Sequence, residues 1–156
     1  MAVFLRVSRS GGGGLVALLA SLMMLLGGCV LSAPSAADFE QDAAQALDDL
    51  ASAVATVKIV LEQHRTERMF AASTVVMLTE SEEAGEKAVQ DLAALQPPAG
   101  LHETYGQITA ALQDGADLLT EVRIAAVAVD TAALQQLSAE LANKRAELSD
   151  LSEHLR

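Results

Sequence analysis

From Phe39 to its end, this chain returns to an apolar side chain at alternating intervals of four and three. That spacing lays a stripe along one side of an α-helix, and such a stripe has to be buried against a neighbour. The first stripe runs Phe39, Ala43, Ala46, Leu50, Ala53, Val57, Val60, with His64 next in the series. A later one runs Leu101, Tyr105, Ile108, Leu112, Gly115, Leu119, Val122, Ala126. The last runs Leu134, Leu137, Leu141, Lys144, Leu148, Leu151, Leu155. No segment alternates with the period of two that a half-buried strand requires.

Breaks between stripes divide the chain. Pro97-Pro98 is the clearest, because proline lacks an amide hydrogen and disfavours helix in the residue before it. A helix is therefore expected from about Ala99. Asp130-Thr131 reads as a turn with an N-cap, and Ser35 with Asp38 as a capped helix start. Between His64 and Leu95 two breaks compete. One is the polar stretch at 64–68, followed by a fresh apolar cluster of Met69, Phe70, Val75, Val76, Met77 and Leu78. The other is 79–85, where Thr79 and Glu82 have capping-box spacing. The first makes two hairpins of nearly equal length; the second makes one long helix and one short. The seam recovers at Ala88, Leu92 and Leu95.

The expectation is an all-α fold: helices at about 38–64, 68–95, 99–128 and 131–155, as an antiparallel up-down-up-down four-helix bundle with coiled-coil-like seams. Alanine and leucine dominate, and after residue 28 the only glycines are Gly85, Gly100, Gly106 and Gly115. Both features favour long helices. Glu83–Lys87 and Glu140–Lys144 have the four-residue spacing of helix-surface ion pairs.

Charge narrows the partners. The chain has 10 Lys and Arg against 21 Asp and Glu, and residues 1–28 hold Arg6 and Arg9 with no acid. The rest therefore carries 8 basic and 21 acidic side chains, a formal charge of −13. Such a domain repels nucleic acid and anionic headgroups and favours cationic or neutral partners. Its aromatics are Phe39, Phe70 and Tyr105, too few for a base-stacking platform.

The first 28 residues are of another kind. A positively charged start and the Gly11–Gly14 run precede an apolar stretch, Leu15–Leu26, broken only by Ser21. That stretch is shorter than the roughly 20 residues of a membrane span and suits a secretory signal. It ends Leu26-Gly27-Gly28-Cys29, which resembles the lipobox of bacterial lipoproteins: an aliphatic residue, two small ones, then cysteine. The resemblance covers about the first 30 residues. It implies that 1–28 is a signal peptide and that Cys29 is lipidated and becomes the mature N-terminus. Fatty acyl chains such as palmitate would then hold the domain on the exported side of a cell membrane or outer membrane. Residues 29–37 would be the lipidated tether, its eight residues after Cys29 reaching at most about 28 Å. A plain cleaved signal, or an uncleaved anchor running to about Leu31, is the alternative. Arg6 and Arg9 are not adjacent, so no twin-arginine route is indicated. The helical layout is also similar to that of small envelope lipoproteins of unassigned function.

Chemical motifs are scarce. Cys29 is the one cysteine, which excludes an internal disulfide and covalent haem attachment. Glu-x-x-His, the di-iron signature of bundles, is missing: Leu61, Ala99 and Leu151 stand three before His64, His102 and His154. Met69, Met77, His64 and His102 are the ordinary candidates for haem. Three scattered histidines do not make a local zinc set, and Asp114-Gly115-Ala116-Asp117 lacks calcium-loop spacing. The run Glu80–Glu86 reads as a solvated face. No catalytic, cofactor-binding or metal-binding residue and no cofactor is expected, and the chain reads as a non-enzyme. Three seam positions are odd. Lys144 either fixes register or lays its stem on the core with the amine in water. Gly115 allows close helix approach or leaves a ligand slot. His64 either ends a helix or titrates near neutral pH.

The sequence thus points to a membrane-anchored envelope lipoprotein, attached through Cys29, whose bundle serves protein interaction with an unknown envelope partner or a structural role. The alternative is a carrier or sensor of a small apolar ligand inside the bundle.

Overall fold

The computed structural model describes residues 35–156. Cys29, the 1–28 segment and the tether up to residue 34 lie outside the described residues. Helix α1 spans Ala36–Arg65. Its start is a full capping box: the Ser35 hydroxyl accepts from the Asp38 amide at 3.1 Å, and the Asp38 carboxylate accepts from the Ser35 amide at 3.3 Å. Ala36 and Ala37, expected as the end of the tether, therefore already belong to the first helical turn. All seven apolar residues of the first seam, Phe39 to Val60, are buried.

Helix α2 spans Ala71–Ala93, so the first turn falls at 66–70. The stretch 79–85 continues the helix, and the Thr79 hydroxyl donates back to the Val75 carbonyl at 3.0 Å instead of capping. The cluster from Met69 to Leu78 is not a uniform apolar face. Thr74 and Leu78 point inward, whereas Phe70 and Val76 are exposed.

Helix α3 spans His102–Val127, three residues later than the Pro97-Pro98 rule suggested. The reason is a turn in which the Leu101 amide donates to the Pro98 carbonyl at 3.1 Å, with Gly100 at φ 98. A turn of that kind needs a positive φ at its third residue. Helix α4 spans Thr131–His154 and is capped by the Asp130 carboxylate, which accepts from the Ala133 amide at 3.0 Å.

Among the described residues there are four helices and no strand. Helix α1 packs on α2, on α4 and on α3; α2 packs on α3 and α3 on α4, while α2 and α4 do not meet. Pro34–Arg156 forms one unit of the chain. It has its own core and its own caps, the marks of a unit that can fold by itself.

Leu50 is the pivot of that core. A Cβ placed on Gly115 would lie 2.6 Å from Leu50 Cδ2, and one on Gly85 would lie 3.2 Å from Leu50 Cδ1 and 2.8 Å from Leu119 Cδ1. The leucine thus occupies space left by two glycines on two other helices. A glycine in a helix interior costs roughly 0.5–1 kcal/mol relative to alanine. Burying a leucine recovers about 1.5–3 kcal/mol.

Helices α1 and α3 end alike. The Arg68 amide donates to the Gln63 carbonyl at 2.9 Å and the Glu67 amide to the His64 carbonyl at 3.1 Å. Likewise the Asp130 amide donates to Ala125 at 3.0 Å and the Val129 amide to Ala126 at 3.2 Å. These are Schellman motifs, which usually place glycine in the left-handed position. Here Glu67 and Val129 occupy it, at φ 56 and φ 55. That backbone costs an L-residue roughly 1–2 kcal/mol, and a β-branched residue is the least suited to it.

The two glycines of α3 separate packing from propensity. Gly106 is exposed, with nothing within 4 Å of an added Cβ. Gly106→Ala should raise stability by up to about 1 kcal/mol. Gly115→Ala gains the same propensity but collides with Leu50, and should lower stability by a net ~1–2 kcal/mol. Urea unfolding midpoints of both variants test this. Equal shifts of one sign would show that Leu50 does not depend on the glycine.

Candidate functional site

Cys29, the one residue to which the sequence assigns a chemistry, lies outside the described residues. The other nominated side chains are dispersed. His64 is in the last turn of α1, half-buried, with Nδ1 3.2 Å from the hydroxyl of Thr74 on α2. That hydroxyl is also 3.2 Å from the Phe70 carbonyl, to which it donates, and Thr74 is 2% exposed. His64 therefore ties the end of α1 to the start of α2. Met69 and Met77 pack against the core, partly buried. His102 is exposed at the first residue of α3, and His154 closes α4 with Nδ1 2.6 Å from the Asp150 carbonyl. Among the described residues no three or more His, Cys, Asp or Glu side chains are grouped to hold a metal ion.

Lys144 and Gly115 belong to one contact. The Lys144 stem passes over Gly115, its Cγ 3.7 Å from where a Cβ would stand. The side chain is 15% exposed, and Nζ reaches Glu147 at 2.8 Å and Asp114 of α3 at 3.6 Å. The stem is buried and the ammonium is carried outward to two carboxylates, which is snorkelling. The four-spaced pairs expected from the sequence do not form. Glu140 instead accepts from the Gln136 amide at 2.9 Å, because Lys144 leans toward α3. Lys87 pairs with Asp91 rather than Glu83, on the side where Asp49 of α1 adds negative charge.

The polar contacts that join helices were not visible as motifs. Glu82 of α2, 12% exposed, is ion-paired with Arg123 of α3 and accepts from the Thr120 hydroxyl at 2.7 Å. The hydrogen bond from Arg123 holds the Glu82 carboxyl below the usual carboxylate range; burial works against this, and Thr120 adds to it. Arg123 is correspondingly held more firmly protonated by the Glu82 hydrogen bond. A second junction joins α1 to α4: the buried Ser152 hydroxyl donates to Asp48 at 2.7 Å, and Arg156 is ion-paired with the same carboxylate. Glu82 reads in sequence as one acid of the Glu80–Glu86 run. The sequence also paired it with Thr79 as a capping box, which does not form; its place directly after the buried Ser81 sets it on the flank of the core stripe.

The space between helices takes the form of surface grooves. One of about 420 Å3 lies between α1 and α2 and is lined by Asp49, Ser52, Thr56, Glu80 and Lys87 among others. Another of about 410 Å3 lies between α3 and α4 beside Asp114, Asp117, Glu121, Glu140 and Lys144. Both are rimmed by charge, while Leu50 fills the interior. The exposed large apolar side chains among the described residues are Ile59, Phe70, Val76, Ile124, Val127 and Val129, in the α1–α2 and α3–α4 turns or on the helix halves that adjoin them. Among the described residues no helix is long and apolar enough to cross a membrane. No protein-family model matches the chain, and no curated protein or solved structure matches it either.

The Glu82 contact has a definite pH signature. A carboxyl whose folded pKa is lowered contributes stability above its unfolded value and loses it as pH falls through the folded value. The stability difference between the wild type and Glu82→Gln should therefore be largest near neutral pH. It should shrink as pH drops below the ordinary value of 4.5. Urea titrations of both proteins from about pH 7 to about pH 3 measure it. A difference that stays constant across that range would remove the ion pair as its source.

Proposed function

We propose that this protein is a membrane-anchored envelope lipoprotein. Residues 1–28 act as its signal peptide, Cys29 carries the lipid, and a non-enzymatic helical domain serves protein interaction or a structural role on the exported side. The observation that carries the reading is Leu26-Gly27-Gly28-Cys29 behind a short apolar run, with no second cysteine in the chain. A thiol is the nucleophile that lipid transfer requires, and small residues before it let the backbone lie extended for cleavage. Three further facts support the reading. The domain has its own cap at Ser35, soon after the lipobox. No described helix is suited to spanning a bilayer. The formal −13 of the residues after 28 gives no attraction to anionic headgroups. The acyl chains are then the sole membrane attachment.

The domain itself is, in this reading, an antiparallel up-down-up-down bundle. His64–Thr74 links the end of α1 to the start of α2, and Glu82–Arg123 links α2 to the late part of α3. Ser152–Asp48 links the end of α4 to the first half of α1. Phe39 and Tyr105, near the starts of α1 and α3, have ring centroids 6.2 Å apart. These pairs support antiparallel neighbours with α1 and α3 parallel across the diagonal. Leu50, filling the interior, supports an outward-facing binding surface over an internal ligand.

Cys29→Ser, expressed in a bacterial host, should lose incorporation of labelled fatty acid and leave the membrane fraction. A variant that is still labelled and still sediments with membrane would end the lipoprotein reading.

A further inference from the structure

One end of the bundle differs from the rest in surface chemistry. Phe70 is 85% exposed and Val129 76%, each in a turn, and Ile59, Val76, Ile124 and Val127 are exposed on the helix segments that lead into or out of those turns. Large apolar side chains exposed together toward one end of a domain are the kind of surface that a contact covers. In the antiparallel layout, on which this argument rests, Thr74–His64, Leu50–Gly115 and Gly115–Lys144 set the register. Residues 58, 80–82, 123 and 136 then share about one level along the bundle, with Glu82 paired to Arg123 there. At and beyond that level the cations are Lys58, Arg65, Arg68 and Arg123. The anions there are Glu62, Glu67, Glu80, Glu82 and Asp130. This end has a formal charge of −1, so the remainder of the domain carries −12.

The backbone adds an independent sign. At the opposite end the positive φ of the α2–α3 turn is taken by Gly100, whereas both turns here put a side chain in that position, Glu67 and Val129. An exposed valine in a left-handed backbone makes no packing contribution that offsets its strain within one copy. Strain of this kind collects at functional positions.

We propose that this end is a self-association surface, where two copies of the chain meet end to end about a twofold axis. The charge distribution selects the occupant. Side-by-side approach opposes −12 to −12, while the two turn-bearing ends meet almost uncharged, with both signs present on each. Phe70 and Val129 are the anchors of the contact, and water leaves the apolar surface around them.

The test uses residues 34–156, the unit with its own core, in sedimentation-equilibrium runs from micromolar to millimolar concentration. A concentration-dependent dimer is expected. Phe70→Ser and Val129→Gly should each weaken it by about tenfold or more. Val129→Gly should at the same time raise the unfolding midpoint measured at concentrations where the chain is monomeric, because glycine relieves the left-handed strain. Stability up and association down cannot both follow from simple damage to the fold. A monomer at every concentration, or a dimer indifferent to both substitutions, overturns the proposal. So does a monomer that instead binds phosphatidylcholine vesicles through Phe70 and Val129. Val76→Cys with Val127→Cys, cross-linked within one copy, reports the helix layout separately. Failure there with an intact dimer faults the antiparallel arrangement and not the contact.

Discussion

Leu50 seated against Gly85 and Gly115 is the contact on which the helix packing rests. It joins three helices at one point near the middle of α1, and the close approach of α2 and α3 to that helix follows from the missing Cβ atoms. Once those distances are set, Lys144 can lie across Gly115 and bring α4 in over the same spot. The core is otherwise built mostly of alanine, valine and leucine, which fit many arrangements. The paired glycines are what narrow the choice, since a leucine of this length fills both notches in few registers.

The polar junctions act in a complementary way. Glu82, Arg123 and Thr120 join α2 to α3, and Asp48 with Ser152 and Arg156 joins α4 to α1. Each sits at the margin of the apolar stripe, where one partner is shielded and the other reaches solvent. Their energetic contribution is limited by solvent screening. Their directional geometry nonetheless penalises a slipped register, in which a shielded carboxylate would lose its guanidinium.

How much of this could be read from the sequence depended on periodicity. The seven residues of the first seam and the leucines at 137, 141 and 148 are buried as their spacing implied. Toward the end of α4 the buried position moves from Leu151 to Ser152. A helix of 3.6 residues per turn drifts away from a strict seven-residue repeat. Ser35 and Asp130 cap as their side chains suggest, because capping is local chemistry. What was missed was non-local. Phe70 and Val76 belong to the apolar cluster that marked the start of the second helix, yet they are exposed, because burial depends on which helix covers them. Glu82 looked like one solvated acid among several, because its partner stands 41 residues away. Gly115 left two readings open, and the residue that decided between them lies on another helix.

Helix α1 has 30 residues and, like α3, packs on all three other helices, with the larger share of the contact. It is also the helix that the preceding chain enters directly, through Ser35. Any tension drawn along that chain is therefore delivered to the element with the most shared contact. A pull along its axis loads those contacts in shear, all at once, rather than peeling a peripheral helix away turn by turn. The order of helices in the sequence thus lets the domain resist a load applied to the chain at Ser35.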